Sequence, residues 1–115
     1  MSGEFFETWV VAEVYKSYLN AGLRPPVFYY RDTNKREIDL LLYEDGIVYP
    51  VEIKKAASPT KATKNFSALA PLKEAPADGE AATVCTGVGA GAVVCMAQDL
   101  IPIDRSNWYV PAWII

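Results

Sequence analysis

The stretch EIDLLLYEDGIVYPVEIKK, residues 37–55, decides the fold of this chain. Two apolar segments rich in β-branched and aromatic residues lie on either side of the dipeptide Asp45-Gly46. An Asp-Gly pair between such segments is a strong signal for a two-residue β-hairpin turn. The sequence therefore predicts two antiparallel strands, and it places several charged residues in the middle of an otherwise apolar ladder.

The register of this hairpin brings its charged residues together. With a two-residue turn, Asp39 lies opposite Glu52 and Glu37 lies opposite Lys54, in pairs that exchange no backbone hydrogen bonds. Pro50 falls in the same class of pair, so its missing N–H removes no bond from the hairpin. Because alternate side chains share a face, the four charged groups are expected on one side of the ladder. The other side is expected to carry the apolar residues Ile38, Leu40, Val51 and Ile53.

Two opposed carboxylates require a nearby cation, because like charges directly opposite each other destabilise a sheet. Lys54 or a bound divalent cation would compensate them. Mg²⁺ or Mn²⁺ takes oxygen ligands, often one or two carboxylates with waters, which suits Asp39 and Glu52 with the Ile53 carbonyl between them. An ion there would activate a water, with Lys54 orienting it. The alternative is a solvated charge network with a purely structural role.

The rest of the sequence places the hairpin in an α/β domain. A long helix is predicted over residues 4–21, with Ser2 as its N-terminal cap and Gly22 just past its end. The other expected elements are a strand over 27–31, a turn over 32–35, a second helix over 58–74 that breaks or ends near Pro71, a buried strand over 92–97 and an extended segment over 107–115. Residues 83–88 are either a short strand or part of a connection. Together these elements predict a central mixed sheet with the first helix on one face and one strand parallel to the strand of Glu52.

Composition excludes several classes of protein. The 115 residues, 51% of them hydrophobic, fit a single domain over residues 1–115. The chain has no histidine, which excludes Ser-His-Asp and Cys-His nucleophilic sites within it. Cys85 and Cys95 lack zinc-site spacing and are expected to be buried, reduced thiols. No segment reads as a membrane span or a signal peptide, so a cytoplasmic location is expected.

The charge balance also limits the mode of nucleic-acid binding. A net charge of −3 argues against strong non-specific binding, so a polyanion would need a local basic patch. Arg31 and Lys55 are the candidates for such a rim, with Lys61 and Lys64 as further possibilities. The aromatic residues Tyr29, Tyr30, Trp108 and Trp113 are interpreted as packing residues rather than base-stacking platforms.

The acidic residues and Lys54 follow a pattern that resembles a known superfamily. A glutamate on the first helix, an aspartate on one strand and Glu52-Ile53-Lys54 on the next resemble the PD-(D/E)XK nucleases. The resemblance implies a restriction-endonuclease-like core, α-β-β-β-α-β, with helices flanking the sheet and nucleic acid as substrate. It also implies Mg²⁺ or Mn²⁺ as cofactor and a role for Lys54 at the attacking water. The helix glutamate is Glu7 or Glu13; Glu7 is preferred because it sits on an apolar stripe that can face the sheet, whereas Glu13 lies on a different face, and Glu7 would complete the site through a metal-bound water.

A second resemblance covers nearly the whole chain. The segments that carry it, in order, are GEFFETWVVAEVYK, FYYRDTNKREIDLLL, VYPVEIKKAASP, GAVVCMA and VPAWII. They are similar to the domain of unknown function found C-terminal to the ATPase core of many predicted prokaryotic AAA-type ATPases. This resemblance implies that the chain is the C-terminal domain of a larger ATPase and that the N-terminal ATPase domain is its partner. Two functions follow: a metal-dependent nuclease, or a catalytically inactive nuclease-fold module that docks on the ATPase core.

Overall fold

The computed structural model describes residues 2–73 and 87–115, which form a mixed α/β structure. Its elements in chain order are α1 (Gly3–Asn20), β1 (Val27–Arg31), β2 (Glu37–Glu44), β3 (Ile47–Ile53), a 3₁₀ helix (Lys64–Leu69), α2 (Ala70–Lys73), β4 (Gly87–Val88), β5 (Gly91–Cys95), β6 (Ile101–Pro102), β7 (Asn107–Pro111) and a C-terminal 3₁₀ turn (Ala112–Ile114). Cys85 and most of the predicted segment 83–88 lie outside the described residues. Within the described ranges, no helix combines the length and the apolar character that crossing a bilayer requires.

The first helix begins and ends as the sequence predicts. The Ser2 side chain accepts a hydrogen bond from the N–H of Phe5 at 3.1 Å, which satisfies one of the unpaired donors of the first turn. Gly22, just past the end, has φ of +75°, a conformation that glycine adopts without steric cost. Phe6 and Val10 are buried against the sheet, so this face of α1 fixes the position of its N-terminal half.

The hairpin of β2 and β3 is confirmed. Asp45 and Gly46 both have positive φ, 53° and 81°, as a type I′ turn requires. Regular pairs run from Glu44–Ile47 to Leu40–Val51, in the predicted register. Pro50 lies opposite Leu41, in the class of pair that needs no N–H from it.

The described strands form one mixed sheet in the order β1-β2-β3-β5-β7-β6, with β4 also paired to β3. The first three strands are antiparallel, and β5 runs parallel to β3, both as predicted. β7 runs parallel to β5, whereas the two-residue edge strand β6 is an element that the sequence did not predict. The carboxyl ends of β3, β5 and β7 therefore meet at one edge of the sheet, next to α1.

The two faces of the sheet have separate cores, and one predicted residue lies on the wrong face. Leu40, Val51 and Ile53 pack with α1, as expected. Ile38 was predicted to join them, but it is buried on the opposite face with Leu69 of the 3₁₀ helix. A register shift between β1 and β2 near Tyr29 accompanies this change of face. Since residues 38 and 40 share a face in a regular strand, β2 departs from regular geometry around Asp39.

The predicted second helix is much shorter than expected. Helical structure begins at Lys64 instead of residue 58, and it changes from 3₁₀ to α geometry at Ala70. Lys61 has φ of +56°, which a right-handed helix excludes, and the Pro59 carbonyl accepts a hydrogen bond from the Tyr109 hydroxyl at 2.7 Å. Pro71 does not end the helix, because it lies in the first turn of α2, where no N–H is needed.

The buried strand and the C-terminal segment agree with the prediction over most of their length. β5 is largely buried, and Cys95 is a free, buried thiol. The extended segment 107–115 forms β7 only up to Pro111, and a 3₁₀ turn follows it. Its two tryptophans, Trp108 and Trp113, remain partly exposed.

Gly91, the first residue of β5, has no room for a side chain. A Cβ there would overlap the Asn107 Oδ1 atom and would lie 2.6 Å from the Phe66 ring. Asn107 cannot retreat easily, since its amide donates to both carboxylate oxygens of Asp104 at 3.1 and 3.0 Å. We expect Gly91→Ala to destabilise the domain by about 1–3 kcal/mol in chemical denaturation. Gly87→Ala is the matched control, with no atom within 4 Å of the new Cβ, and an equal loss in both variants would contradict this packing.

Candidate active site

The residues around Asp39 and Glu52 form an acidic cluster where β2 and β3 separate. Beyond the Leu40–Val51 pair, side chains replace the backbone partners of the ladder. The Ile53 N–H donates to Asp39 Oδ2 at 2.8 Å, and the Asp39 N–H donates to Glu52 Oε1 at 3.3 Å. The two carboxylates thus meet as predicted, although they meet at a break in the ladder and not as a regular cross-strand pair. The predicted pair of Glu37 with Lys54 is wrong, because the ladder between β2 and β3 ends at the Leu40–Val51 pair; Glu37 pairs only with Arg31 of β1 among the described strands.

Glu52 is the buried charged residue of the described core, with 6% of its surface exposed. It lies beside Val93 of β5, which is fully buried. Burial, and after it the negative charge of Asp39, raise the pKa of Glu52 to about 8, while the charge of Lys54 acts in the opposite direction. Without a cation, one proton therefore stays on this carboxyl group near neutral pH.

Of the two candidate helix glutamates, Glu7 lies beside the cluster. Partial burial raises the pKa of Glu7, and the charge of Asp39 and a hydrogen bond between the two side chains add to this shift. Glu13 instead forms an ion pair with Lys16, at 3.2 Å on the same helix. The structure therefore brings Glu7, Asp39 and Glu52 to one place, and it places Glu13 in a local helix contact.

Lys54 follows the last residue of β3 and is exposed. Its backbone N–H donates to the Val94 carbonyl at 3.0 Å, which anchors this residue to the neighbouring strand. The Lys54 charge lowers the pKa of both Glu52 and Glu7, so its ammonium group lies close to the acidic cluster. Lys54 takes part in none of the ion pairs found within the described residues.

The donors at the cluster fit a hard divalent cation. Across residues 2–73 and 87–115, no three histidine, cysteine, aspartate or glutamate side chains converge closely enough to hold an ion by themselves. The groups that could hold an ion are the Asp39 and Glu52 carboxylates, with the carbonyl of Ile53, the residue after Glu52, as the further oxygen expected from the sequence. Such a set suits Mg²⁺ or Mn²⁺, which retain waters in the other positions, and it does not suit a structural zinc site.

The predicted basic rim is divided between two places. The Nε atom of Arg31 lies 3.5 Å from a Glu37 carboxylate oxygen, so its charge is already engaged at the surface. Lys55 lines a cleft with the aromatic side chains of Phe6, Trp9 and Trp113. The sequence interpretation missed this cleft, because it treated Trp113 as a packing residue, whereas 69% of that side chain is exposed.

The comparisons with known proteins give one match. The profile of the family described as Domain of unknown function (DUF4143) matches residues 2–115. The chain belongs to this family. The match covers both the acidic cluster and the cleft, so both are parts of a DUF4143 domain. No curated protein and no solved structure matches the chain significantly.

Two substitutions should move the Glu52 pKa in opposite directions. Lys54→Met removes the nearby positive charge and should raise it, whereas Asp39→Asn removes the opposed negative charge and should lower it. The amide introduced by Asp39→Asn keeps an oxygen that can accept the Ile53 N–H, so the local backbone is preserved. Carbon-detected NMR of the Glu52 carboxyl group measures both shifts. Equal values in the wild type and both variants would mean that these three groups do not interact.

Proposed function

We propose that this domain hydrolyses phosphodiester bonds of nucleic acid in a divalent-metal-dependent reaction, as a nuclease of the PD-(D/E)XK type. The observation that carries the proposal is the meeting of Asp39, Glu52 and Lys54 where β2 and β3 separate, with Glu7 brought in by α1. The order of the elements adds support: α1, three antiparallel strands, a short helical segment and the parallel strand β5 follow the order expected for a restriction-endonuclease-like core.

The chain's own groups have distinct roles in this reaction. Asp39, Glu52 and the Ile53 carbonyl supply the oxygens that hold Mg²⁺ or Mn²⁺. When bound, the ion would lower the pKa of a water and balance negative charge on the phosphoryl group. Lys54, as an ammonium group, donates a hydrogen bond that orients the attacking water. The Glu7 carboxylate, which contacts Asp39, would accept a hydrogen bond from a water at the site.

In hydrolysis, the water oxygen forms a bond to phosphorus while the bond from phosphorus to one ester oxygen breaks. The water loses a proton to solvent, and the leaving oxygen takes up a proton. The chain contributes orientation and charge balance and needs no covalent intermediate, which is consistent with the absence of histidine from its sequence.

Cleavage of mixed DNA and RNA substrates with Mg²⁺, Mn²⁺ or chelator tests the proposal. We expect cleavage only with a metal, and we expect Asp39→Asn to abolish it while leaving the thermal unfolding temperature near that of the wild type. Glu13→Gln is the control for a carboxylate on the same helix as Glu7 but outside the cluster. Cleavage that continues in Asp39→Asn would belong to a contaminating enzyme and would remove the support for this function.

A second function has its own observation in its favour. The outer face of α1 carries large apolar side chains that are exposed, Phe5 at 61% and Leu19 at 60%. A domain that docks on the N-terminal ATPase part of the same protein would cover this face. Leu19→Asp should then weaken association with the separately produced ATPase part, while cleavage of nucleic acid is unaffected. Absence of any association in the wild type would reject this second function.

A further inference from the structure

A cleft of about 300 Å³ opens at the carboxyl edge of the sheet. Three of its walls come from the segments that follow parallel strands: Lys55 after β3, Met96 after β5 and Trp113 after β7. The first half of α1 closes it with Phe6 and Trp9. We call these five residues the aromatic cleft. Open α/β sheets bind their ligands at the carboxyl ends of strands, and this volume lies at the lower end of the range for small-molecule sites.

Two pairs of residues that are neighbours in the chain connect the aromatic cleft with the acidic cluster. On α1, Phe6 lines the cleft and the next residue, Glu7, contacts Asp39. After β3, Lys54 lies near the acidic cluster and the next residue, Lys55, lines the cleft. Both sites therefore draw on the first half of α1 and on the start of the segment after β3, so an extended ligand with a base and a phosphate is the kind that would contact both.

The lining of the cleft suits a flat, apolar group that carries a negative charge at one end. Apart from Lys55, the side chains that line it are apolar or aromatic. Trp9 is 38% exposed and Trp113 is 69% exposed, so both indole rings keep surface for a ligand. The buried Phe6 ring stacks on Trp9, with centroids 6.5 Å apart and planes inclined by 25°, which holds this indole in place.

We propose that the aromatic cleft binds one unpaired base of the nucleic-acid strand whose phosphodiester is held at the acidic cluster. Each nucleotide combines the two features that this region would recognise, a planar base and an adjacent phosphate. The inference rests on the proposed nuclease function and names its substrate class: single-stranded nucleic acid, or strands with extruded bases. A base inside a duplex is paired and stacked, so it cannot enter the cleft.

Stacking on the two tryptophans predicts that the cleft has little preference among the bases. Stacking on tryptophan uses the π face that every base has, and the cleft walls offer few hydrogen-bonding groups that would distinguish base edges. Charge complementarity selects a nucleotide over an apolar protein segment, because Lys55 lies in the cleft and Lys54 lies beside it. A protein segment is the competing occupant that the following experiment distinguishes.

Fluorescence anisotropy of a labelled oligothymidylate tests the inference without requiring cleavage. The same strand is titrated alone and after annealing to its oligoadenylate complement, in chelator and in Ca²⁺. Wild-type protein should bind the single strand more tightly than the duplex. Trp113→Ala and Trp9→Ala should each weaken single-strand binding by roughly 5- to 100-fold, the effect of losing one base–aromatic stack.

Trp108→Ala is the matched control. Trp108 has the same exposed fraction as Trp9, 38%, but it lies on β7 and does not line the cleft. The Trp108→Ala variant should bind the single strand as tightly as the wild type does. Lys55→Ala should weaken binding more at low salt than at high salt, whereas Lys64→Ala on the 3₁₀ helix should have no such effect.

The outcomes separate this inference from the proposed function. If Trp113→Ala binds the single strand as well as the wild type does, or if the duplex binds equally well, the inference fails even when Mg²⁺-dependent cleavage is observed. If the tryptophan variants lose binding but no cleavage is found in any metal, the aromatic cleft stands and the nuclease function fails. If the wild type binds no nucleic acid, the inference fails and a protein segment is the next occupant to test.

Discussion

Between about pH 5 and about pH 9, the metal-free domain should lose stability on the order of 3–5 kcal/mol as Glu52 is forced to ionise. In the unfolded chain this carboxyl group releases its proton near its ordinary pKa of 4.5, whereas in the folded domain it keeps the proton up to about pH 8. The folded state therefore binds more protons than the unfolded state between these values. Its stability is fully present below the lower value, and it is lost as the pH rises through the higher one.

Glu52→Gln should remove this loss. A glutamine resembles the protonated carboxyl group, since its amide can donate to Asp39 and its oxygen can accept the Asp39 N–H. The variant should be close to the wild type near pH 5 and more stable than the wild type near pH 9 by about the amount that the wild type loses. Chemical denaturation across this range in chelator measures both, with Glu13→Gln as the control that keeps the wild-type slope.

Other titrating groups do not hide the loss of stability that Glu52 causes between about pH 5 and about pH 9. Partial burial raises the pKa of Glu7 as well, which adds a loss of the same sign. Hydrogen bonds from Arg36 and Asn34 lower the pKa of Asp32 despite some desolvation, so its contribution changes only at more acidic pH. A wild-type stability that stays constant or rises from about pH 5 to about pH 9 would mean that Glu52 is already ionised in the folded domain.

Removing the Lys54 ammonium group should reduce metal-dependent cleavage by about 100-fold or more, the usual effect of losing one oriented donor at a reacting group. Lys54→Ala should nevertheless bind Mn²⁺ at least as well as the wild type, because the positive charge that opposes a cation at the cluster is gone. The side chain is exposed, so the free energy of unfolding should change little. Single-turnover cleavage rates and Mn²⁺ titrations of the same samples measure the two effects.

Lys55→Ala is the control for this prediction, since it removes the same charge from the next residue. It should weaken substrate binding while leaving the rate at saturating substrate near that of the wild type. Equal losses of the saturating rate in Lys54→Ala and Lys55→Ala would show that the rate depends on the positive charge of this segment and not on a donor at the position of Lys54. The specific role of Lys54 at the attacking water would then be wrong.

The hairpin and the first helix could be predicted because local chemistry determines them. Asp45 and Gly46 are residues that accept the positive φ angles of a type I′ turn, and the turn sets the register of the two strands. Ser2 and Gly22 mark the ends of α1 through their own hydrogen bonding and conformation. The parallel arrangement of β5 follows from the helical crossover after β3 and the apolar composition of residues 92–97.

The geometry at Asp39 could not be predicted, because it depends on contacts distant in sequence. Ile38 changes face to pack under Leu69, and β1 shifts its register at the same point. These contacts place the Asp39 carboxylate on the Ile53 N–H instead of in a regular cross-strand pair. Sequence reasoning assumes that side chains alternate regularly between the two faces, and it therefore predicts a continuous β2–β3 ladder at Asp39.

The sequence favoured Glu7 over Glu13, but it could not determine where either glutamate lies relative to the sheet, nor that Trp113 is exposed. The position of a helix glutamate relative to the sheet depends on how α1 rotates about its axis, and the burial of Phe6 and Val10 determines this rotation. Trp113 follows Pro111, where β7 gives way to a 3₁₀ turn, and this turn leaves the indole exposed at the cleft. The cleft could have been found from the residues just past the ends of the parallel strands, Lys55, Met96 and Trp113, because these ends meet at one edge of the sheet.

Calorimetric titration of the metal-free domain with Mn²⁺ and Mg²⁺ near neutral pH tests the central proposal, a divalent-cation site at Asp39 and Glu52, most directly. We predict binding in the micromolar to millimolar range with release of a proton, because the ion displaces the proton that Glu52 holds. Asp39→Asn should lose the binding, whereas Glu13→Gln should keep it. No binding by the wild type at millimolar concentrations, or equal binding by Asp39→Asn, would contradict a metal site and leave the acidic cluster with a structural role.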